Sequence, residues 1–228
     1  KADLIVVLGG DGTFIRACSM IGSRRVPVFG VNMGALGFLT EITREEIFTA
    51  LAEVMDGRFQ CEERMRLRVS IVHNGKRLWR QDILNEVVVI KNAMSPMIHV
   101  DVSNDGGFVS RFRGDGLMMA TPTGSTAYNL AADGPIVFPT LRCILVTPIS
   151  PHMLADRPIV LPDTAKVSMR IIKSRGQTFA NLDGLRGFEL GPGDEVRVEA
   201  SPDPVSVVVS PARDYFNILR TKLKWGEQ

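Results

Sequence analysis

Cysteine is scarce in this chain, which holds three residues, Cys18, Cys61 and Cys143, at wide intervals. An odd number of cysteines without close spacing argues against a disulfide framework or a zinc site and favours reduced thiols in a cytoplasmic protein. Histidine is equally scarce, and its three residues share no spacing typical of metal ligands. We therefore assign no metal-ligating residue.

Long hydrophobic runs are absent as well. The longest, such as Leu4–Leu8 and Val87–Ile90, have the length of a strand, whereas a helix that spans a bilayer needs roughly 20 apolar residues. No signal peptide is visible, because the chain passes from Lys-Ala-Asp directly into a strand. The net charge is only +2, without the concentrated basic face of a nucleic-acid-binding protein. We predict a cytoplasmic protein with neither a membrane nor nucleic acid as partner.

The first sixty residues show the pattern of an α/β fold. Leu4–Leu8 is a continuous apolar run that predicts a strand buried on both faces, as in a parallel sheet. A helix over 13–21 and a strand over 27–32 follow and complete a βαβ unit. Thr43 and Glu46 have the spacing of a capping box and predict a second helix. Two strands are marginal as a sheet, so we expect at least one further βα unit before the first residue.

After Arg58 the pattern changes to short strands separated by turns. Residues 65–71 alternate between apolar and polar, which predicts a half-buried strand, and Asn74-Gly75 predicts the hairpin turn after it. Further strands are predicted at 84–90, 97–103, 107–113, 116–121, 142–147, 166–172, 178–182, 186–190, 194–199 and 205–209. The last twenty residues have the pattern of an amphipathic helix.

The predicted fold is therefore an α/β N-terminal domain followed by an all-β, sandwich-like C-terminal domain. The first covers residues 1–58 and is incomplete, because it lacks its first βα unit. The second covers residues 59–209, and a terminal helix occupies residues 210–228.

The turn Gly9–Thr13, Gly-Gly-Asp-Gly-Thr, joins the first strand to the first helix. Glycines let the backbone approach phosphate oxygens, and a helix N-terminus offers N–H groups and a positive dipole end. A carboxylate here, Asp11, would repel phosphate, but it suits a base for a hydroxyl nucleophile or a ligand for Mg²⁺. The alternative is an Asp-Gly turn that leads into a helix N-cap. The double glycine and the preceding strand favour a phosphate-handling turn.

Three further segments carry candidate residues. Asn85-Glu86 interrupts an apolar stretch, where an amide and a carboxylate can hold a ribose diol, and a strand-entry turn is the alternative. Arg113–Gly116 ends one strand and starts another, and taken alone it favours a tight β-turn over a binding site. Thr121–Ala131 leads a strand through small and hydroxyl residues into a short helix with Tyr128, whose ring can stack on a base. A plain N-capped helix is the alternative there.

Taken in order along the chain, these segments resemble the NAD kinase family. The motifs that carry the resemblance cover essentially the whole chain and are Gly9–Thr13, Gly30–Thr40, Asn85-Glu86, Gly114–Gly116, Thr121–Tyr128 and Pro148–His152. The Gly-Gly-Asp-Gly turn alone is also similar to turns of phosphofructokinases and of diacylglycerol and sphingosine kinases. The Asn-Glu pair and the Thr121–Tyr128 run resemble NAD kinases specifically.

The resemblance implies phosphorylation of the 2′-hydroxyl of the adenosine ribose of NAD to give NADP, with ATP or polyphosphate as donor and a divalent metal ion such as Mg²⁺. It implies that Asp11 is the general base, in a cleft between the domains. The residues that it implies for catalysis and binding are Gly9, Gly10, Asp11, Gly12, Asn85, Glu86, Arg113, Asp115, Thr123, Thr126, Ala127, Tyr128, Asn129, Leu130 and Ala131. It also implies a C-terminal helix that packs back on the first domain, and a homodimer or homotetramer.

Two positions depart from the family pattern. Leu185 stands where many relatives carry a polar residue, and Pro96 stands where some carry histidine, so we assign no ligand contact to either residue.

Two other hypotheses for the function stay open at this point. One is a lipid or sugar-phosphate kinase of the same Gly-Gly-Asp-Gly group, and the other is a non-catalytic fragment that binds NAD or NADP.

Overall fold

The chain forms two units in a computed structural model that describes residues 2–210 and 214–225. The first unit combines the residues up to Arg64 with those from Asp203 onward, and the second is the continuous stretch Met65–Pro202. The predicted terminal segment 210–228 lies outside the described residues at 211–213 and 226–228. None of the helices in the described part of the chain has the length and apolarity that a membrane crossing requires.

The first unit is an α/β layer whose strands come from both ends of the chain. Its elements are β1 (Ile5–Leu8), α1 (Asp11–Ile21), β2 (Val28–Asn32), β3 (Ile42–Thr43), α2 (Ile47–Met55), β4 (Gln60–Arg64), β17 (Val205–Val209) and α4 (Tyr215–Leu223). The sheet has the order β1-β2-β17-β4, and β3 pairs with β2. Strands β1, β3 and β17 run parallel to β2, whereas β4 is antiparallel to β17.

Strand β1 is apolar as predicted, but it is not buried on both faces. Val7 is buried, while Val6 is 42% and Leu8 55% exposed. The prediction holds instead for β2, whose residues Val28–Asn32 are all buried. The difference follows from the strand order, because β2 lies between two neighbours and β1 ends the series.

The second unit is a sandwich of two antiparallel sheets. Its elements are β5 (Leu67–His73), β6 (Lys76–Ile83), β7 (Glu86–Lys91), β8 (Ile98–Asn104), β9 (Gly107–Gly114), β10 (Gly116–Ala120), a 3-10 turn (Thr123–Thr126), α3 (Tyr128–Ala131), β11 (Cys143–Ile149), β12 (Ile159–Pro162), β13 (Val167–Lys173), β14 (Thr178–Leu182), β15 (Arg186–Leu190) and β16 (Glu195–Ala200). Sheet I has the order β12-β11-β10-β7-β14-β15, and sheet II has the order β6-β5-β16-β13-β8-β9. Side chains such as Val89 and Leu117 of sheet I and Val69 and Met169 of sheet II form a common buried core. The predicted sandwich-like domain is confirmed.

Hairpin turns of the second unit carry the predicted turn residues. Asn74-Gly75 joins β5 to β6, Asp105-Gly106 joins β8 to β9, and Asp183-Gly184 lies in the three-residue connection 183–185 between β14 and β15. Both residues of each pair have positive φ angles. This is the type I′ geometry, which matches the twist of the strands that it connects and favours an Asn or Asp followed by Gly.

The unit boundaries lie elsewhere than the predicted domain boundaries at 58/59 and 209/210. Strand β17, predicted within the all-β domain, pairs with β2 and β4 and belongs to the first unit. Helix α4 belongs there too, with Ile218 and Leu219 buried and Lys222 Nζ 5.4 Å from the centroid of the Phe38 ring. The predicted return of the terminal helix to the first domain is confirmed. Pairing between distant segments leaves no local pattern, so the sequence alone does not indicate that β17 joins the first sheet.

Candidate functional site

The Gly9–Thr13 turn connects β1 to α1 at the carboxyl end of the strand. Helix α1 begins at Asp11 with Gly10 as its N-cap residue, and no side chain caps it. Gly9 has a φ of 156°, and a Cβ there would lie 2.7 Å from Thr13 Oγ1, so the fold requires glycine at this position. A Cβ on Gly10 or Gly12 would contact nothing within 4 Å. The chain's own packing thus does not explain these two glycines, and they leave the first N–H groups of the helix open to a ligand.

The carboxylate of Asp11 is surrounded by donors from the segment that follows β2. Its Oδ2 accepts the N–H of Phe38 at 2.8 Å. Its Oδ1 accepts the N–H groups of Leu39 and Thr40, at 3.1 and 3.2 Å, and the Thr40 hydroxyl at 3.1 Å. A carboxylate offers about four lone-pair sites, two on each oxygen. Oδ2 therefore keeps capacity for one more proton donor, which is what a general base requires.

The loop 33–40 is itself held in place by Asn32 at the end of β2. The Asn32 amide donates to Ala35 O at 2.7 Å and to Thr40 Oγ1 at 3.0 Å, and its oxygen accepts the Gly34 N–H at 2.6 Å. Gly37 allows the close approach, because a Cβ there would overlap Asp11 Oδ1 and Thr40 Oγ1. Sequence reasoning gave these residues no role. A signal for their position beside Asp11 was present in the strand pattern. Asn32 ends a strand parallel to β1, and the carboxyl ends of parallel strands lie at the same edge of a sheet.

The Asn85-Glu86 pair stands at the start of β7, beside the turn between β14 and β15. The carboxylate of Asp183 accepts three consecutive backbone N–H groups there, from Leu84 at 2.7 Å, Asn85 at 2.8 Å and Glu86 at 3.0 Å. In return, the N–H of Asp183 donates to the Glu86 carbonyl at 3.0 Å. Both side chains of the pair are buried. Asp183, which sequence reasoning left without a role, therefore fixes the backbone that carries them.

The segment after β10 packs directly on the same strand start. The N–H of Thr121 donates to Asn85 O at 2.8 Å, and its hydroxyl donates to Leu84 O at 2.6 Å. The Thr121 hydroxyl also accepts the Gly124 N–H at 3.0 Å. A Cβ on Gly124 would overlap the backbone of Asn85, so glycine is required there. The structure thus brings the predicted Asn85-Glu86 and Thr121–Thr126 segments together.

Three buried polar atoms of these segments have no hydrogen-bond partner among the described residues. They are Asn85 Oδ1, Glu86 Oε2 and Thr123 Oγ1. Buried polar atoms in folded proteins are nearly always paired, so such a group calls for a partner from outside the chain. Burial, and then the nearby Asp183 carboxylate, raise the pKa of Glu86 to about 8. A cluster of this kind with a strongly shifted carboxyl is a candidate binding site.

Helix α3 lies over the face of sheet I that points away from the core. Ala132, just after the helix, packs against the cluster formed by Val88, Met118 and Ile149. Tyr128 and Ala131 line a cavity of about 690 Å³ together with the segment 148–151. This volume lies in the range of small-molecule sites. The Tyr128 side chain is half-exposed and so available for stacking.

Asn129, predicted as a binding residue, has its side chain engaged inside the protein. Its amide donates to Ser125 O at 3.2 Å and Pro135 O at 3.1 Å, and its oxygen accepts the Thr147 hydroxyl at 2.6 Å. Both amide hydrogens are thereby used. The side chain of Asn129 shapes the 125–135 loop and has no amide hydrogen left for a ligand. The neighbours Thr126, Ala127 and Leu130 are partly exposed.

Asp115 lies at the opposite end of sheet I from Asn85-Glu86, just before β10, and Arg113 lies near the end of β9 in sheet II. Register pairs Ala120 with Glu86, whereas Gly116 is opposite Ile90, four residues further along β7 or about 13 Å. Arg113 is exposed, and Asp115 Oδ1 lies 3.5 Å from Lys91 Nζ. The N–H of Asp115 donates to Ile149 O, beside the Tyr128 cavity. Asp115 therefore lies at the cavity's end of sheet I, and Arg113 adjoins the same segment because its carbonyl accepts the His152 N–H at 2.8 Å.

Metal-binding side chains do not cluster in the described part of the chain. No group of three or more His, Cys, Asp or Glu residues there is arranged to hold an ion. The His73 imidazole contacts Asp194 instead. This chain's described residues do not fit a metal site built from protein ligands alone.

Models of two protein families match the chain. The ATP-NAD kinase N-terminal domain matches residues 1–59, and the ATP-NAD kinase C-terminal domain matches residues 84–210. The NAD kinase of Geotalea daltonii is 45% identical over 228 residues, which cover all of this chain and 80% of that protein. The NAD kinase of Geobacter sulfurreducens is 47% identical over 227 residues, with the same coverage.

Two solved structures with similar folds are a yeast NADH kinase and an archaeal NAD kinase. Yeast NADH kinase, crystallised with NADH, superposes with a TM-score of 0.94 at 31% identity, covering all of this chain and 67% of that one. An NAD kinase from Archaeoglobus fulgidus in complex with ATP gives a TM-score of 0.80 at 30% identity, covering 97% of this chain and 83% of that one.

Proposed function

This chain belongs to the NAD kinase family, and from this premise we propose that Asp11 is its general base and that Asn85, Glu86 and Thr123 bind the dinucleotide. The protein is an NAD kinase, which phosphorylates the 2′-hydroxyl of the adenosine ribose of NAD to give NADP. Family membership favours this activity over the lipid and sugar-phosphate kinase hypotheses.

The observation that carries the proposal is the set of three buried, unpaired polar atoms on Asn85, Glu86 and Thr123. A ribose diol supplies what they lack, since each hydroxyl both donates and accepts a hydrogen bond. Hydrogen bonds from such a diol would pair all three atoms within the buried site, where a hydrogen bond contributes most.

Asp11 provides the base for the transfer step. A ribose hydroxyl is a weak nucleophile, and a positioned carboxylate accepts its proton as the bond to phosphorus forms. The donors from loop 33–40 hold the carboxylate in a single orientation and leave a lone pair on Oδ2. The role of the protein in phosphoryl transfer is chiefly positioning and charge stabilisation, which such a rigid carboxylate serves.

Gly9, Gly10 and Gly12 bind phosphate groups through the backbone at the start of α1. The two glycines whose Cβ atoms would meet nothing keep side chains away from these N–H groups. The helix dipole adds a partial positive charge at the same place. Family membership supports ATP as the phosphoryl donor. Parallel assays with ATP and with polyphosphate test whether polyphosphate is also a donor.

The Tyr128 cavity binds the base of a nucleotide. Its volume of about 690 Å³ and its half-exposed aromatic ring suit a planar group. Ala131 lines the cavity beside Tyr128, and Thr126, Ala127, Asn129 and Leu130 adjoin them in the chain. Asp115 lies at the same end of sheet I, next to Arg113 at the end of β9 in sheet II. These residues complete the predicted dinucleotide site within the second unit.

A divalent cation such as Mg²⁺ supports the reaction and binds together with the phosphates of the donor. Mg²⁺ is commonly held by one or two carboxylates together with substrate phosphates, so it needs no cage of protein ligands. NADP formation with and without EDTA tests the requirement for the cation. A cytoplasmic homodimer or homotetramer completes the proposal, and light scattering of the purified protein tests the oligomeric state.

Replacing Asp11 with Asn tests the base. The amide keeps the size of the side chain but accepts no proton, so we expect NAD binding to persist and kcat to fall about 10²–10⁴-fold. Calorimetry with NAD and a coupled assay of NADP formation measure the two quantities. Asp56→Asn is the control, because Asp56 is exposed and pairs with surface Arg58 at 3.0 Å.

Two results would contradict these proposals. A near-wild-type rate for Asp11→Asn would show that Asp11 is not the base. NAD binding by the wild type without NADP formation at any metal concentration would instead favour the hypothesis of a non-catalytic NAD-binding fragment.

A further inference from the structure

We infer that Asp183 is a positioning residue of the dinucleotide site, holding the start of β7 so that Asn85 and Glu86 present their unpaired atoms to NAD. The inference rests on the proposed function, because it takes those two side chains as NAD ligands. Asp183 itself does not supply the unpaired atoms. It acts through the backbone of the residues that do.

The geometry of the Asp183 turn supports this role. At most strand starts, consecutive N–H groups alternate between the neighbouring strands, yet here the N–H groups of Leu84, Asn85 and Glu86 all converge on one carboxylate. Asp183 reaches them from the left-handed region, with a φ of 51°, in a turn that Gly184 completes. Its own N–H donates back to Glu86 O. Turn and strand start therefore form one rigid assembly, which leaves the two side chains few orientations.

The carboxyl groups of Asp183 and Glu86 also interact electrostatically. Burial raises the pKa of both groups, and the Asp183 charge raises that of Glu86 further, to about 8. Three backbone N–H donors stabilise the charge on Asp183, so the proton of the pair resides on Glu86 at neutral pH. Among the described residues, Asp183 is the charged group that shifts the pKa of Glu86. The residue opposite Glu86 on β10 is the uncharged Ala120.

A protonated Glu86 suits the ligand better than a charged one. The neutral carboxyl donates one hydrogen bond and accepts others, as a ribose hydroxyl requires, and it adds no repulsion toward the diphosphate of NAD. A raised pKa means that Glu86 is neutral below about pH 8 and charged above it. We therefore expect the KM for NAD to rise as the pH passes through this value. The KM for ATP should not follow it.

The test is initial-rate kinetics of NADP formation by the full chain between pH 6 and 9, with wild type, Asp183→Asn and Glu86→Gln. Asp183→Asn removes the charge and leaves a backbone N–H without an acceptor. We expect the KM for NAD at pH 7 to rise on the order of tenfold, with the KM for ATP unchanged. The pH at which the KM for NAD rises should move downward, because Glu86 then ionises more easily. Glu86→Gln has no titratable group there and should abolish this pH dependence.

Asp194→Asn is the matched control. Asp194 is also buried and accepts a backbone N–H, that of Gly191 at 2.8 Å, in the turn before β16. A loss of stability common to buried turn carboxylates would appear in both variants. Only Asp183→Asn should change the KM for NAD and its pH profile, with thermal melting recorded for each variant.

The inference is wrong if folded Asp183→Asn has the KM and pH profile of the wild type, or if Asp194→Asn changes them equally. If Asp183→Asn does not fold, Glu86→Gln decides, since persistence of the pH dependence in that variant also overturns the inference. Failure of the proposed function is a different result, in which the wild type itself forms no NADP from NAD and ATP.

Discussion

Gly37 determines where the Asp11 carboxylate can lie. The residue has no side chain, and that space is occupied by Asp11 Oδ1 and Thr40 Oγ1. The carboxylate in turn accepts the N–H groups of Phe38 and Leu39 from the same loop. Loop and base are therefore interdependent, so the catalytic geometry depends on a residue that performs no chemistry.

Substituting Gly37 with Ala should impair catalysis without preventing NAD binding. The added methyl group displaces the Asp11 carboxylate, and a misplacement of about 1 Å can cost on the order of 10²-fold in rate. We expect kcat to fall by about that factor, while the dissociation constant for NAD changes little. The coupled assay of NADP formation and calorimetry measure the two effects.

Gly34→Ala is the control for this experiment. Gly34 belongs to the same loop, and a Cβ there would contact nothing within 4 Å. Equal losses in Gly34→Ala and Gly37→Ala would show that the loop tolerates no substitution at all and would remove the argument for overlap with Asp11.

Candidate residues were predictable from the sequence more readily than their contacts. Residue type and position indicated Asp11, Asn85 and Glu86. Asn129 has the same chemistry as Asn85, yet its amide is used within the fold. Which of the two asparagines keeps an unpaired atom depends on how the surrounding backbone folds. The Asn129 amide donates to Ser125 O and Pro135 O, four and six residues away, in a loop whose shape residue types alone do not indicate.

At the scale of elements, strands with one buried face were predicted well. Strand β5 alternates buried and less buried residues, and the pattern was visible in the sequence. Strand β6 was missed because its first five residues are all exposed and follow no alternation. The predicted capping box is present only in part, since Thr43 donates to Glu46 Oε2 but α2 begins at Ile47. The alternation of buried and exposed residues therefore predicted strands more reliably than the capping residues predicted the start of a helix.

The type I′ turns offer a test at this scale. Gly106 has a φ of 81°, so Gly106→Ala forces a side chain into the left-handed region at a cost of about 1–2 kcal/mol. We expect the melting temperature to fall by about 2–4 °C per kcal/mol for a chain of this size, without change in kcat. Thermal melting followed by circular dichroism measures it.

The control for the turn is Gly187→Ala in β15. Gly187 needs no positive φ, and the nearest atom to an added Cβ is Ala180 O at 4.0 Å. An equal loss of stability in both variants would contradict the explanation from backbone geometry.

At the scale of the whole molecule, the first unit depends on the two ends of the chain meeting. Strand β17 provides a parallel neighbour for β2 and an antiparallel one for β4, although about 140 residues separate it from β4 in the sequence. The second unit is continuous and has its own buried core. The two units should therefore differ in their ability to fold alone.

We expect a fragment of residues 65–202 to fold, and a fragment of residues 1–64 to remain unfolded. The first fragment retains both sheets of the sandwich, whereas the second lacks the strand that lies between β2 and β4. Circular dichroism with thermal melting distinguishes a cooperative transition from none. A cooperative transition in 1–64, or its absence in 65–202, would contradict this account.

Local chemistry in the sequence was sufficient to predict the βαβ start, the hairpin turns, the β-rich second part and the residue types of the site. Each of these depends on neighbours within a few positions, through side-chain periodicity, the φ angles that Gly and Asn permit, or the N–H groups at a helix start. Tertiary structure alone decided that β17 joins the first sheet, that loop 33–40 holds Asp11 and that Asp183 holds Asn85-Glu86. These contacts join segments 27 to about 180 residues apart, and their free energy depends on burial and hydrogen bonding that exist only once the chain has folded.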